Sequence, residues 1–204
     1  MDRLFAPWRI EWVERDEEPV EGCPFCVLPA RDADREGRIV ARNGAAFVIL
    51  NNAPYNPGHA MVVPDRHTGA YEDLDATELR AHARLKQRTL RATRTAFEPD
   101  GLNVGLNLGS AAAGGSIDDH LHEHVVPRWA GDTNFMPVVG ETKVIVEALD
   151  RSYDRLRTAF ADQTGAHEPG PDAAGVLDDG PERSRFARQP RTGGGTRRAA
   201  APRG

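Results

Sequence analysis

Three histidines alternate within five residues, His120-Leu121-His122-Glu123-His124, and this spacing restricts the fold of the 204-residue chain more than any other feature. On an extended strand alternate side chains share a face, so the three imidazoles project together at intervals of roughly 6–7 Å, with Leu121, Glu123 and Val125 opposite. Such a strand needs neighbours. Ile39-Val40-Ala41-Arg42 and residues 45–50 flank Asn43-Gly44, a strong two-residue hairpin signal. A turn at Pro54-Tyr55-Asn56-Pro57-Gly58 leads into a strand over residues 59–63, ended by Pro64, and residues 102–108 alternate as a further strand. A helix is expected over residues 74–97, with Asp75 as N-cap and Thr77-Glu78 bringing an acid to its first turn. A second is expected over residues 143–160, where Val144, Ala148, Leu149, Tyr153 and Leu156 form one stripe. Hairpin strands with helices between them predict an α+β domain.

Composition sets the limits of that domain. Residues 163–204 are dense in Gly, Pro, Ala and Arg and cannot bury enough apolar surface to offset ordering, so they read as a disordered tail behind a folded domain of residues 1–162. The net charge is −5; the tail holds 7 Arg and 5 acids, leaving 19 basic against 26 acidic residues, about −7, before it. That balance offers no general electrostatic basis for nucleic-acid binding. No run approaches the ~18–20 apolar residues that cross a bilayer, and the opening Met1-Asp2-Arg3-Leu4-Phe5-Ala6-Pro7 lacks the apolar stretch of a secretory signal. The expectation is a cytoplasmic protein without a membrane partner. Its only cysteines form one group, Cys23-Pro24-Phe25-Cys26, which in a reducing compartment suggests a metal half-site or a redox pair.

A neutral imidazole can attack phosphorus and form a phosphoramidate, splitting a group transfer into two steps. The attacking ring needs a neighbour that fixes its tautomer, and the phosphate oxygens need donors. His124, on the same face, and the backbone amides of residues 110–116 are positioned to serve as donors. Small residues in that loop let amides approach phosphate without Cβ obstruction. Two other readings use the same residues: a half-polar strand whose histidines meet solvent, and a three-histidine zinc site.

The run His120-Leu121-His122-Glu123-His124-Val125-Val126 resembles the His-φ-His-φ-His-φ-φ signature of the histidine-triad (HIT) superfamily. Asn51-Asn52-Ala53-Pro54-Tyr55-Asn56-Pro57-Gly58-His59, continuing to Pro64-Asp65-Arg66-His67, resembles that family's upstream strand pair. Leu4-Phe5-Ala6-Pro7-Trp8 and Gly131-Asp132-Thr133-Asn134-Phe135-Met136-Pro137 resemble its zinc-containing branch of diadenosine tetraphosphate phosphorylases. The resemblance implies a five-stranded antiparallel sheet with two main helices, joined to a second subunit's sheet in a homodimer or higher homo-oligomer. It implies a nucleotidyl hydrolase or phosphorylase acting on dinucleoside polyphosphates. Adenosine phosphoramidate-type compounds, or nucleotide binding with little activity, are the alternatives; hexose-1-phosphate nucleotidyltransferases would carry Pro where Leu121 stands.

Residue by residue, the resemblance makes His122 the nucleotidylated group, His124 the phosphate partner that protonates the leaving group, and His59 their support. Asn51 would bind ribose hydroxyls; Asn107, Ser110, Gly115 and Ser116 would line the phosphates, with Ser116 standing where many members carry glutamine. Phe25 and Ile49 would line the base pocket, although core packing explains both equally well. Structural Zn²⁺ would sit on Cys23, Cys26, His67 and His120, which removes His120 from the chemistry. A redox role for the cysteines lacks a thioredoxin-like βαβ context. Glu123 departs from the apolar or neutral residue usual there. It needs solvent or a partner such as arginine, so its face is expected to be partly exposed or covered by a subunit.

Overall fold

The computed structural model describes residues 21–31, 33–108, 117, 119–132, 147–167, 170 and 172–178. The expectations for Ser110, Gly115, Ser116 and Val144 therefore lie outside the described residues. In chain order the elements are α1 (Pro24–Val27), β1 (Ile39–Arg42), β2 (Ala46–Leu50), β3 (Ala60–Pro64), a 3₁₀ turn (Tyr71–Asp73), α2 (Ala76–Phe97), β4 (Gly101–Leu106), β5 (Glu123–Arg128), α3 (Leu149–Ala161), β6 (Ala166–His167) and β7 (Gly175–Leu177).

The hairpin, the β3 strand and the first long helix fall where expected. Asn43 closes the β1–β2 turn by accepting the Ala46 amide at 2.9 Å. Asp75 caps α2 by accepting the Thr77 and Glu78 amides at 2.7 and 2.9 Å, while the Glu78 carboxylate accepts the Asp75 amide. This reciprocal box satisfies donors that a helix start otherwise leaves open.

Four expectations change. Among the described residues the sheet has seven strands in the order β4-β5-β3-β2-β1-β7-β6, and β7 runs parallel to β1, so it is mixed rather than five-stranded and antiparallel. The two added strands come from residues assigned to the tail. Average composition over residues 163–204 conceals the short run Ala174-Gly175-Val176-Leu177, whose Ala174 and Leu177 are buried against the body. Asp34 accepts the Ala174 amide, and Asn43-side strand β1 supplies the edge that β7 joins. Residues 179–204 lie outside the described residues. The last helix begins at Leu149, not residue 143, since Ala148 already has extended backbone.

The fourth change touches the histidine run. Strand β5 begins at Glu123, so only His124 of the three histidines lies on it. The backbone before it turns toward the loop after β3, where the Leu121 amide donates to the Thr68 carbonyl at 2.7 Å. His120 and His122 are therefore placed by loop hydrogen bonds, not by strand alternation.

Alternation along the central strands divides the core. Val48, Leu50, Ala60, Val62 and Val125 meet α2 and α3 through Leu85, Ala92, Tyr153, Leu156 and Phe160 on one face. Phe47, Ile49, Met61 and Val63 meet Phe25 and Ala174 on the other. Because Met61 pairs with His124 and Val62 with Glu123, the histidine faces the Phe25 side and the carboxylate faces the helices.

Gly58 fixes the turn before β3. Its φ is +77°, and a Cβ there would lie 2.4 Å from the Phe97 ring at the end of α2. Gly58→Ala is expected to destabilise the protein by about 1–2 kcal/mol for the left-handed backbone plus about 1–3 kcal/mol for overpacking. Thermal unfolding checks this, and a loss under about 0.5 kcal/mol would mean that the turn relaxes freely.

Candidate active site and metal centre

The five histidines of interest form two touching groups. His122, only 5% exposed, donates from Nδ1 to the carbonyl oxygen of His120 at 2.9 Å. A carbonyl can only accept, so this ring nitrogen carries the hydrogen and Nε2 carries the lone pair. That is the tautomer a nucleophile requires.

His59 supplies a second tautomer constraint. The Tyr55 amide donates to His59 Nδ1 at 3.1 Å, which leaves the hydrogen on Nε2. His59 Nε2 in turn donates to His124 Nδ1 at 3.0 Å. A neutral His124 then keeps its hydrogen on Nε2, as a donor directed away from His59. The Tyr55 ring stacks on His59 with 5.1 Å between centroids and 13° between planes. One backbone amide thus sets the polarity of two imidazoles in series.

The metal-type cluster joins three separated segments. Cys23 Sγ lies 3.3 Å from His120 Nδ1, and Cys26 Sγ lies 3.2 Å from His67 Nδ1 and 3.6 Å from His120 Nδ1. All four donor atoms lie within 4.8 Å of one another. Tetrahedral zinc with Zn–S of about 2.3 Å and Zn–N of about 2.0 Å sets S···N edges of roughly 3.5 Å, so the residues fit that ion. Outer partners orient the rings. His120 Nε2 donates to the Pro64 carbonyl at 2.9 Å, and His67 Nε2 lies 3.3 Å from Asp119 Oδ2. Each leaves Nδ1 as the free donor atom facing the thiols.

Local structure explains how the segments meet. Pro24 opens α1, and the Cys26 and Val27 amides donate to the Cys23 carbonyl, bringing both thiols to one side. Arg66 binds both Glu78 oxygens at 2.7 and 2.8 Å, which ties the loop carrying His67 to the start of α2. Phe25, held between the two cysteines, packs against the rings of His120 and His122 at 5.5 and 5.2 Å. The cluster therefore braces the His122 ring through one phenyl ring.

Over 172 residues the chain is 41% identical to a Mycobacterium tuberculosis protein named AP-4-A phosphorylase, covering 80% of this chain and 86% of that protein. A family model described as HIT domain matches residues 33–131. The chain belongs to the HIT family. It is also 30% identical over 115 residues to an uncharacterized HIT-like protein of Saccharolobus solfataricus, covering 56% of this chain and 79% of that one. A solved zinc-bound histidine triad family protein from Mycobacterium smegmatis superposes with a TM-score of 0.55, at 29% identity over 69% of this chain and 94% of that chain.

In this HIT chain the remaining expected residues occupy varied settings. Ile49 and Phe25 are both buried in the core on the histidine side of the sheet. Asn51 accepts the Ala53 amide at 2.8 Å and points its amide nitrogen at the Met61 sulfur. Asn107 is half-buried just past the end of β4. Glu123 is 5% exposed, so its face is closed, and its partner is Lys86 at 3.0 Å rather than an arginine. Tyr55, Pro64 and Asp119 orient rings although no sequence motif assigns them that role, and the first two do so through backbone atoms that no side-chain pattern records.

Burial, with the neighbouring His122, pushes His124 down to about 4 from an ordinary 6.5. The ring is thus neutral at pH 7, consistent with the hydrogen-bond polarity. A histidine depressed in the folded state contributes full stability above about pH 6.5 and loses it as pH falls toward 4. An NMR titration of the His124 ring is expected to show a midpoint near 4; an ordinary midpoint would mean that the ring is solvated in solution.

Proposed function

We propose that this HIT protein cleaves dinucleoside polyphosphates, diadenosine tetraphosphate foremost, through a nucleotidylated His122. The observation that carries the reading is the His122 Nδ1 bond to the His120 carbonyl, which leaves Nε2 as the nucleophilic atom. The 41% identity to a relative named AP-4-A phosphorylase supports the substrate class. In the first step Nε2 bonds to the α-phosphorus as the bridging P–O bond breaks; the polyphosphate leaves as the anion, and the neutral His124 steadies the departing oxygen through an Nε2–H hydrogen bond. In the second step an oxygen of phosphate, or of water that releases its proton to solvent, bonds to the phosphorus as the P–N bond breaks, which returns the lone pair to His122 Nε2. Asn51, Asn107, Ser110, Gly115 and Ser116 would hold ribose and phosphates, with Phe25 and Ile49 beside the base. Zinc on Cys23, Cys26, His67 and His120 would have a structural role.

Incubation with diadenosine tetraphosphate, with and without inorganic phosphate, tests the proposal. ATP plus ADP formed only with phosphate selects phosphorolysis, whereas ATP plus AMP without phosphate selects hydrolysis. Absence of turnover on every dinucleoside polyphosphate would overturn it. Strand β4 forms one edge of the sheet with Val104 41% exposed, which supports a homodimer built by edge-to-edge pairing; light scattering on the purified protein would read a monomer mass if that is wrong. No helix among the described residues is long and apolar enough to cross a membrane. The free thiols Cys23 and Cys26 suit a reducing cytoplasm.

A further inference from the structure

Glu123 stands between His122 and His124 in the chain, but its side chain leaves the candidate site for the helical face of the sheet. There Lys86 Nζ lies 3.0 Å from Oε1, and His82 Nδ1 lies 3.7 Å from Oε2. His82, fully buried, uses its other ring nitrogen to donate to the Val62 carbonyl at 3.3 Å. Val62 is the residue of β3 that pairs with Glu123, next to the Met61–His124 pair. His82 and Lys86, one turn apart on α2, therefore hold both members of the cross-strand pair adjoining the catalytic histidine. The Tyr71 ring, edge-on to His82 at 6.3 Å, packs beside them.

Two atoms in this cluster lack hydrogen-bond partners among the described residues: His82 Nδ1 and Glu123 Oε2. With the hydrogen on Nε2, a neutral His82 presents only a lone pair toward the carboxylate. Two acceptors then face each other in a buried site, and each carries the cost of an unmade bond. One proton on Nδ1 would replace that opposition with a charge-assisted hydrogen bond of about 2.7–2.9 Å. An apolar pair of similar volume would give packing without this incompleteness.

We propose that His82, Lys86 and Glu123 form a proton-dependent positioning device for the catalytic strand. Lys86 provides a constant grip on Glu123, and a proton taken up by His82 adds a second grip that draws Glu123 toward α2. The flanking His122 and His124 move with it. None of the three touches substrate; they are positioning residues, and the catalytic part of the inference rests on the role proposed above for His122. The charged groups facing His82 are Glu123 from β5 and Lys86 from its own helix, with the phenol of Tyr71 beside them. Burial is the largest influence and pushes His82 below the ordinary imidazole range, Glu123 opposes it, and Lys86 adds to it. The proton is therefore taken up as pH falls, not at neutrality.

The test is a histidine NMR titration of the full-length, zinc-loaded protein from about pH 8 to about pH 5. His82 Nδ1 is expected to gain a proton while Nε2 keeps its own, and His122 and His124 signals are expected to show a component with the same midpoint. Glu123→Gln offers an amide N–H to neutral Nδ1, so that component should shrink at least about fivefold. His82→Gln, which keeps a donor for Val62 and removes Nδ1, should abolish it and serves alone if Glu123→Gln does not fold. Across the wild-type titration kcat should change by about threefold or more with KM changing less than about twofold, and both variants should be flat. No protonation of His82 in this range, or protonation that His122 and His124 do not follow, overturns the proposal. Coupled NMR shifts in a protein that turns over no nucleotide would support the device and overturn the enzymatic role of His122.

Discussion

Turnover of diadenosine tetraphosphate is expected to fall by about 10⁴-fold or more when His122 is replaced by alanine. The size follows from the absence of a substitute. His124 Nδ1 is taken by His59 at 3.0 Å, His120 Nε2 by the Pro64 carbonyl at 2.9 Å, and His120 Nδ1 faces the thiols. No other ring of the triad therefore presents a free nitrogen lone pair to a phosphorus atom. Wild type incubated with substrate labelled at the α-phosphate should form an acid-labile, base-stable protein adduct, and His122→Ala should form none. Zinc content should be unchanged, since the variant leaves the His120 carbonyl and all four cluster residues in place. His122→Asn, closer in shape, separates loss of chemistry from collapse of the small space against Phe25. Activity retained within tenfold in both variants would exclude His122 as nucleophile.

The other large effect concerns the metal cluster. Chelation of zinc, or Cys23→Ser, is expected to cost at least about 3 kcal/mol, or roughly 6–12 °C in Tm for a chain of this length. The cluster is what joins α1, the loop after β3 and the segment before β5, segments separated by up to 97 residues along the chain. Without the ion, the donor atoms of Cys23, Cys26, His67 and His120 lie within 4.8 Å of one another with no cation to share. Phe25 would lose its anchoring, and the His122 ring its packing, so activity should fall together with stability and both should return when zinc is restored. Calorimetry with metal analysis measures this. Purified protein that binds less than half an equivalent of zinc, or melts unchanged in chelator, would refute a structural site.

Some elements were legible because their causes are local. Asn43-Gly44 lies within its own hairpin, and Asp75 with Glu78 within its own helix turn, so nearby residues suffice to predict them. The tail boundary is hidden from the sequence for the opposite reason. Residues 175–177 have little intrinsic strand signal and become a strand because β1 offers them an edge and Asp34 an acceptor for the Ala174 amide. Strand alternation for the whole triad failed likewise, since the Thr68 carbonyl captures the Leu121 amide and holds residues 120–122 off the sheet. Glu123 is unusual for its position, but its partners lie on α2, some 40 residues earlier, where Lys86 and His82 read only as helix residues.

What the sequence alone determined is the inventory: imidazoles and thiols of the kind that transfer phosphoryl groups and bind zinc, and the family in which they occur. Their chemical nature is a property of the side chains and survives without a fold. Which nitrogen of each ring carries the hydrogen was decided only by tertiary structure. The His120 carbonyl, the Tyr55 amide and the Pro64 carbonyl make those choices, and a backbone group is the same in every residue until folding brings it within 3.1 Å of a ring.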